Sequence, residues 1–207
     1  MKDLFLDCQL FVSARSPFAR RIRLTFLEHD IRHTEKIVDV LTPNQEVMQH
    51  NPLGRVPTVV LKSGDVLFES NLILQLFYSD NESSFFPKKS RLELFRWMAL
   101  STGLMDKSIE YFFEAQRPVE QRDKAWLDEI SLTVQNSLAV IDTRLSTQEY
   151  LVENRLTQAD LDLGAALDYL SLRISNDWKQ SFIYARKYLD RLHARPSFEK
   201  TTPPSPT

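Results

Sequence analysis

One cysteine, Cys8, in 207 residues excludes an internal disulfide framework and any Cys-x-x-Cys redox centre. Four glycines and ten prolines argue against a low-complexity or β-rich chain. No apolar run approaches the roughly 20 residues needed to span a bilayer. The start, Met1-Lys2-Asp3-Leu4, carries acids at Asp3 and Asp7 and no continuous apolar segment, so no signal peptide is expected. A net charge of -2 supplies no general attraction to nucleic acid or an anionic membrane. His29, His33, His50 and His193 show no metal-ligand spacing, and no glycine-rich phosphate loop is present. What remains is an ordinary globular composition, 43% hydrophobic and 26% charged, expected to be cytoplasmic. The length suits one large domain or two small ones.

The most informative stretch is Asn51-Pro52-Leu53-Gly54-Arg55-Val56-Pro57-Thr58-Val59-Val60-Leu61, continuing to Phe68-Glu69-Ser70. Thr58 to Leu61 is β-branched and apolar and predicts a buried strand. Ser63-Gly64-Asp65 predicts a turn into a second strand at Val66-Leu67-Phe68. Leu72, Ile73, Leu76 and Phe77 then recur at helical spacing. Pro57 cannot donate to a sheet ladder, so it belongs at a strand start, where it leaves the N–H and C=O of Val56 available to a peptide-like ligand. Glu69-Ser70 opens a helix whose N-terminus favours a carboxylate. The same pair also reads as a plain acidic first turn and cap.

Upstream, Leu10-Phe11-Val12 predicts a buried strand beginning near Leu6. Ser16-Pro17 is a strong helix start, with Ile22, Phe26 and Leu27 marking an inner face to about His29. Thr34 to Val40 predicts another strand, and Thr42-Pro43-Asn44-Gln45 a capped short helix. Strand, helix, strand, short helix, two strands, helix is the order of a thioredoxin-like domain. Ser16 has two readings. It caps its helix, or its hydroxyl donates to a sulfur and, with the helix dipole, favours the thiolate. Cys8 reads as a small buried hydrophobe. Arg15, Arg20, Arg21 and Arg23 read as a solvated helix face, not a nucleic-acid patch.

Asp80 to Pro87 reads as a linker, and the rest is helical. Leu94, Phe95, Met98, Met105, Ile109, Phe112 and Phe113 predict a long helix, weakened at Gly103 and ending near Arg117-Pro118. Ile130, Val134, Leu138, Ile141 and Leu145 predict a second. Thr157-x-x-Asp160 is a capping box opening a third, and Tyr184, Leu189 and Leu192 mark a further one ending before Arg195-Pro196. Thr201 to Thr207, with its prolines, is expected to be a non-helical tail.

Asn-Pro-Leu-Gly-Arg-Val-Pro-Thr-Val, followed by Leu-Phe-Glu-Ser and an apolar helix, resembles the glutathione-binding half of cytosolic glutathione S-transferases. Ser16-Pro17-Phe18, with Arg21 and Arg23 to Glu28, is similar to the serine-type signature of the tau class and related bacterial members. The resemblance implies a thioredoxin-like α/β domain at 1–82, a linker at 83–90 and an all-α bundle domain at 91–207. It implies a homodimer that joins the glutathione thiolate to a small hydrophobic electrophile, without a metal.

The implied roles are residue-specific. Ser16 activates the thiol, with Ser13 the rival because theta-like members place a serine slightly earlier. Val56, before a cis Pro57, pairs with the cysteinyl backbone, and Glu69 and Ser70 hold the γ-glutamyl end. Arg55 meets the glycyl carboxylate or is a solvated loop residue. Asp106 reaches the γ-glutamyl amine of a partner subunit. Phe18, Tyr111, Phe112 and Arg117 contact the electrophile, or the aromatics are core and Arg117 is surface. Thr157-x-x-Asp160 serves folding. Two alternatives stay open: a partner-binding protein similar to stringent starvation protein A, and glutathione-dependent isomerisation or peroxide reduction on the same site.

Overall fold

The computed structural model describes residues 2–40, 42, 45–79 and 83–204. The chain forms two compact units: the first reaches Phe86 and is rejoined by Ser197–Pro204, and the second runs Pro87–Pro196.

In the first unit a 3-10 turn (Lys2–Phe5) precedes β1 (Cys8–Val12), α1 (Pro17–Glu28), β2 (His33–Ile37) and α2 (Gln45–His50). Then follow β3 (Thr58–Val60), β4 (Val66–Phe68) and α3 (Ser70–Phe77). The sheet order is β2-β1-β3-β4, with β2 parallel to β1 and β3 and β4 antiparallel to their neighbours. This mixed sheet with its helices is a thioredoxin-like fold. Strand β1 is central and almost wholly buried, as its apolar run requires. Phe5, Phe26 and Phe77 pack with ring centroids 5.4–5.9 Å apart.

Several expectations need adjusting. Strand β1 starts at Cys8 and not near Leu6, because Asp7 takes a left-handed φ of 59° that interrupts extended backbone. Strand β2 ends at Ile37, short of Val40. In the expected cap at Thr42–Gln45, Pro43 and Asn44 lie outside the described residues, as do Asp80–Glu82 of the expected linker and Ser205–Thr207 of the expected tail. Phe86 is buried and stacks on Tyr78 at 4.5 Å, so the aromatic end of the expected linker belongs to the first unit.

The C-terminus departs further from expectation. After Arg195 the chain forms α9 (Pro196–Lys200), and Ser197–Pro204 groups with the first unit, not with the helical half. Phe198 is wholly buried, Ser197 Oγ donates to Glu28 Oε1 at 2.5 Å, and Arg20 Nε donates to Thr201 Oγ1 at 3.2 Å. The arginines of α1 are therefore no solvated face. Arg20 lies under Phe198, Arg21 is fully buried, and Arg23 pairs with Glu35 at 2.9 Å.

The second unit is α-helical: α4 (Arg91–Ala115), α5 (Lys124–Leu145), α6 (Gln158–Arg173), α7 (Trp178–Ser181) and α8 (Ile183–His193). Helix α4 runs unbroken through Gly103 and stops before Pro118. Helix α6 is the centre, buried continuously from Gln158 to Leu167. At its start Asp160 accepts from Thr157 N–H and hydroxyl at 2.7 and 2.8 Å, from Leu151 N–H at 3.0 Å and from Tyr188 O–H at 3.0 Å. Burial pushes the Asp160 carboxyl up to about 6, against the lowering by these donors. Among the described residues no helix is long and apolar enough to cross a membrane.

Candidate functional site

Topology gathers the predicted residues of the first unit. Because β3 runs antiparallel to β1 and β4 antiparallel to β3, three points lie at one end of the sheet. They are the exit of β1, the entry of β3 and the exit of β4. The exit of β1 carries Ser13 and Ser16, the entry of β3 carries Val56-Pro57, and the exit of β4 carries Glu69-Ser70.

Ser16 is half-buried and caps α1, with its Oγ accepting from Ala19 N–H at 3.2 Å and Pro17 in the first helical position. The cap uses a lone pair, not the hydroxyl proton, and that proton is donated to nothing among the described residues. The two readings of Ser16 are thus compatible. Ser13 lies in the preceding turn, where its carbonyl accepts from Ser16 N–H at 3.1 Å. Phe18 is half-buried on the first turn of α1.

The Val56-Pro57 bond is cis. Neither the N–H nor the C=O of Val56 makes a hydrogen bond among the described residues, leaving both backbone groups of this residue free beside the sheet. The loop before it is held by buried Asn51, which sequence reasoning did not single out. Its Nδ2 donates to Arg55 C=O at 2.9 Å and to Thr58 Oγ1 at 3.1 Å, and its Oδ1 accepts from Leu53 N–H at 3.0 Å. Gly54 takes a φ of +62°, which the tight turn needs. Arg55 is exposed, and its guanidinium has no ion pair among the described residues.

At the third point Glu69 is exposed and held at φ 72°, ψ 114°, a conformation costly for a non-glycine residue and one that clusters at functional sites. Its carboxylate caps α3, accepting from Asn71 N–H at 3.1 Å and Leu72 N–H at 3.2 Å. Two of the N–H groups that the sequence leaves free for a ligand are therefore taken by the chain itself. The N–H and hydroxyl proton of Ser70 remain. Ser70 is buried, and its Oγ accepts from Arg21 Nη1 at 3.3 Å. The same Nη1 donates to Asn71 Oδ1 at 2.9 Å. This tie from α1 to α3 was also missed, because a helical arginine defaults to solvent when only spacing is read.

Cys8 is buried in β1, and burial pushes its thiol up to about 11, so it stays protonated at neutral pH. In the second unit, Tyr111 and Phe112 are half-buried on α4, and Phe112 lies 3.9 Å beneath the guanidinium of Arg173. Arg117 is exposed and pairs with Glu114 at 3.1 Å, and Asp106 is exposed on the same helix. No group of three or more His, Cys, Asp or Glu is placed to hold a metal among the described residues.

Chemically, the first unit offers an open peptide edge, a donor pair for a carboxylate at the start of α3, and a hydroxyl donor at the start of α1. Residues 15–79 match the glutathione S-transferase N-terminal domain family, and residues 104–196 the corresponding C-terminal domain family. Among solved structures, a glutathione S-transferase of Methylobacillus flagellatus KT with glutathione bound is 28% identical. It has a TM-score of 0.89, and the match covers 96% of this chain and 100% of that one. A glutathione S-transferase of Methylobacterium radiotolerans JCM 2831, in complex with glutathione sulfonate, is 29% identical with a TM-score of 0.88, covering 97% of each chain. The uncharacterised GST-like protein YibF of Escherichia coli K12 is 29% identical over 95% of this chain and 98% of its own. Matched in both halves and aligned over nearly its whole length, this chain belongs to the glutathione S-transferase family.

Proposed function

We propose that the protein binds glutathione in its first unit and transfers it, as the thiolate, to a small hydrophobic electrophile. The observation that carries this reading is the set of unspent hydrogen-bonding groups at one end of the sheet. The backbone of Val56 suits the cysteinyl residue, and the N–H and hydroxyl of Ser70 suit the γ-glutamyl carboxylate, with Glu69 beside it for the ammonium. Arg55 lies free for the glycyl carboxylate. Ser16 retains a proton to donate to sulfur, and Ser13 is the second candidate for that role.

A free thiol titrates near about 8.5, so most of it is protonated at neutral pH. A hydroxyl donor and the positive end of α1 both favour the thiolate, and the released proton goes to solvent. The sulfur then forms a bond to the electrophilic carbon, and the displaced electron pair leaves with the departing group or enters the acceptor's conjugated system. Tyr111, Phe112, Phe18 and Arg117 are the proposed contacts of the electrophile. The serine-type assignment, a homodimer with Asp106 reaching the partner's ligand, and a cytoplasmic location belong to the same proposal.

The test is calorimetric binding of glutathione together with titration of the bound thiol. Wild type should bind, and Ser70→Ala should weaken binding by about tenfold or more, the worth of one hydrogen bond to a charged group. Ser16→Ala should keep binding while moving the bound thiol back toward about 8.5. No binding to wild type at millimolar glutathione would overturn the reading and turn the search to protein partners.

A further inference from the structure

Arg21 of α1 reaches all three residues at the α3 N-terminus, directly or through one intermediary. It is fully buried, and Nη1 donates to both Ser70 Oγ and Asn71 Oδ1. A guanidinium can only donate, so each of these oxygens must act as acceptor toward it. That fixes the polarity of the groups beyond. The Asn71 amide is held with its oxygen toward Arg21 and its nitrogen toward Glu69, to which Nδ2 donates at 3.4 Å. The hydroxyl of Ser70, one lone pair taken by Arg21, has its proton left for another acceptor, and no such acceptor occurs among the described residues.

We infer that Arg21 is a positioning residue that orients the α3 N-terminus to read an α-amino acid end. Through Ser70 it presents a donor to the ligand's carboxylate, and through Asn71 it steadies the Glu69 carboxylate beside the ligand's ammonium. Were Arg21 replaced by a group that accepts, the Ser70 proton could turn inward and the Asn71 amide could flip. The site would then lose its preference for a carboxylate without losing the fold of α3. This inference rests on the glutathione reading and deepens it. It places the discrimination of the γ-glutamyl end in a buried residue that touches no ligand.

The test compares two ligands, glutathione and its analogue lacking the γ-glutamyl α-carboxylate, on wild type, Arg21→Gln, Arg21→Lys and Ser70→Ala, with thermal melts to verify folding. Arg21→Gln should weaken glutathione by about tenfold, as expected for losing a donor to a charged ligand, and the analogue by much less. Arg21→Lys, which can only donate, should restore part of the preference and serves as the folded variant if Arg21→Gln unfolds. In the Ser70→Ala background the Arg21→Gln effect should shrink, because the carboxylate-reading part of it runs through the Ser70 hydroxyl. Equal loss on both ligands, or full additivity with Ser70→Ala, would overturn the role of Arg21 while the glutathione reading stood. Absence of wild-type binding would overturn both.

Discussion

His29 shows how one side chain in the first unit ties stability to pH. It sits at the end of α1 with Lys2 Nζ on Nδ1 and Tyr78 O–H at Nε2, each at 2.8 Å. Lysine can only donate, so Nδ1 is the acceptor, Nε2 carries the proton and the ring is neutral. Burial, helped by the Lys2 charge, holds the ring down at about 4 from its usual 6.5. Between these values the unfolded chain binds a proton that the folded one refuses. Stability from this group is therefore present above about 6.5 and is lost as pH falls toward 4. Urea titrations at pH 7.5, 6 and 5 should show stability declining across that window in wild type and declining less in His29→Gln; parallel curves would refute it. The sequence disclosed residues whose chemistry is written in their local neighbours: Ser16 before Pro17, Pro57 before a β-branched run, Glu69-Ser70 before an apolar helix. It did not disclose His29, Arg20 or Arg21, whose partners Tyr78, Thr201 and Ser70 lie 49 to 181 residues away.

Among elements, α6 has the most concentrated determinant. Its starting carboxylate, Asp160, collects four donors from three segments: Thr157, the Leu151 turn and Tyr188 of α8. The box was legible because Thr-x-x-Asp before an apolar run is a local pattern. Leu151 and Tyr188 were not, since neither carries a local signal for a distant carboxylate. Asp160→Ala would strand the buried N–H groups of Leu151 and Thr157 and the hydroxyl of Tyr188, with a cost of about 1–3 kcal/mol for each. Losses should approach the sum only if the site does not admit water, so about 3–5 kcal/mol is expected by denaturant unfolding. Thr157→Ala, which leaves the carboxylate in place, should cost about 1 kcal/mol. Near-equal costs for the two would mean that the carboxylate is not the hub. The short α7 and α9 escaped prediction for a different reason: four and five residues are too few to display a helical period.

For the whole chain the path matters more than any one element. It leaves the first unit at Phe86, builds the second over Pro87–Pro196, and returns to the first with Ser197–Pro204. The first unit is thus closed by the end of the chain, through Phe198 in its interior, Ser197 on Glu28 and Thr201 on Arg20. Pro203 and Pro204 lie past the last helical residue, as expected, but a tail is solvated only if nothing captures it, and Thr201, the first residue of the expected tail, is buried against Arg20. Burying a phenylalanine completely is worth about 3–5 kcal/mol against alanine, a large part of a domain's stability. Truncation after Pro196 also withdraws Thr201 and the Phe198 ring from Arg20, a residue only 3% exposed. All three tryptophans, Trp97, Trp126 and Trp178, lie in the second unit, so their fluorescence reports on that unit directly. Amide hydrogen exchange in the truncated chain should therefore show protection falling first in α1 and β1, with α6 and the tryptophan signal little changed. Phe198→Ala should reproduce the same pattern more mildly. A loss spread evenly over α1 and α6 would instead mean that the returning segment supports both units alike, and its assignment to the first would have to be given up.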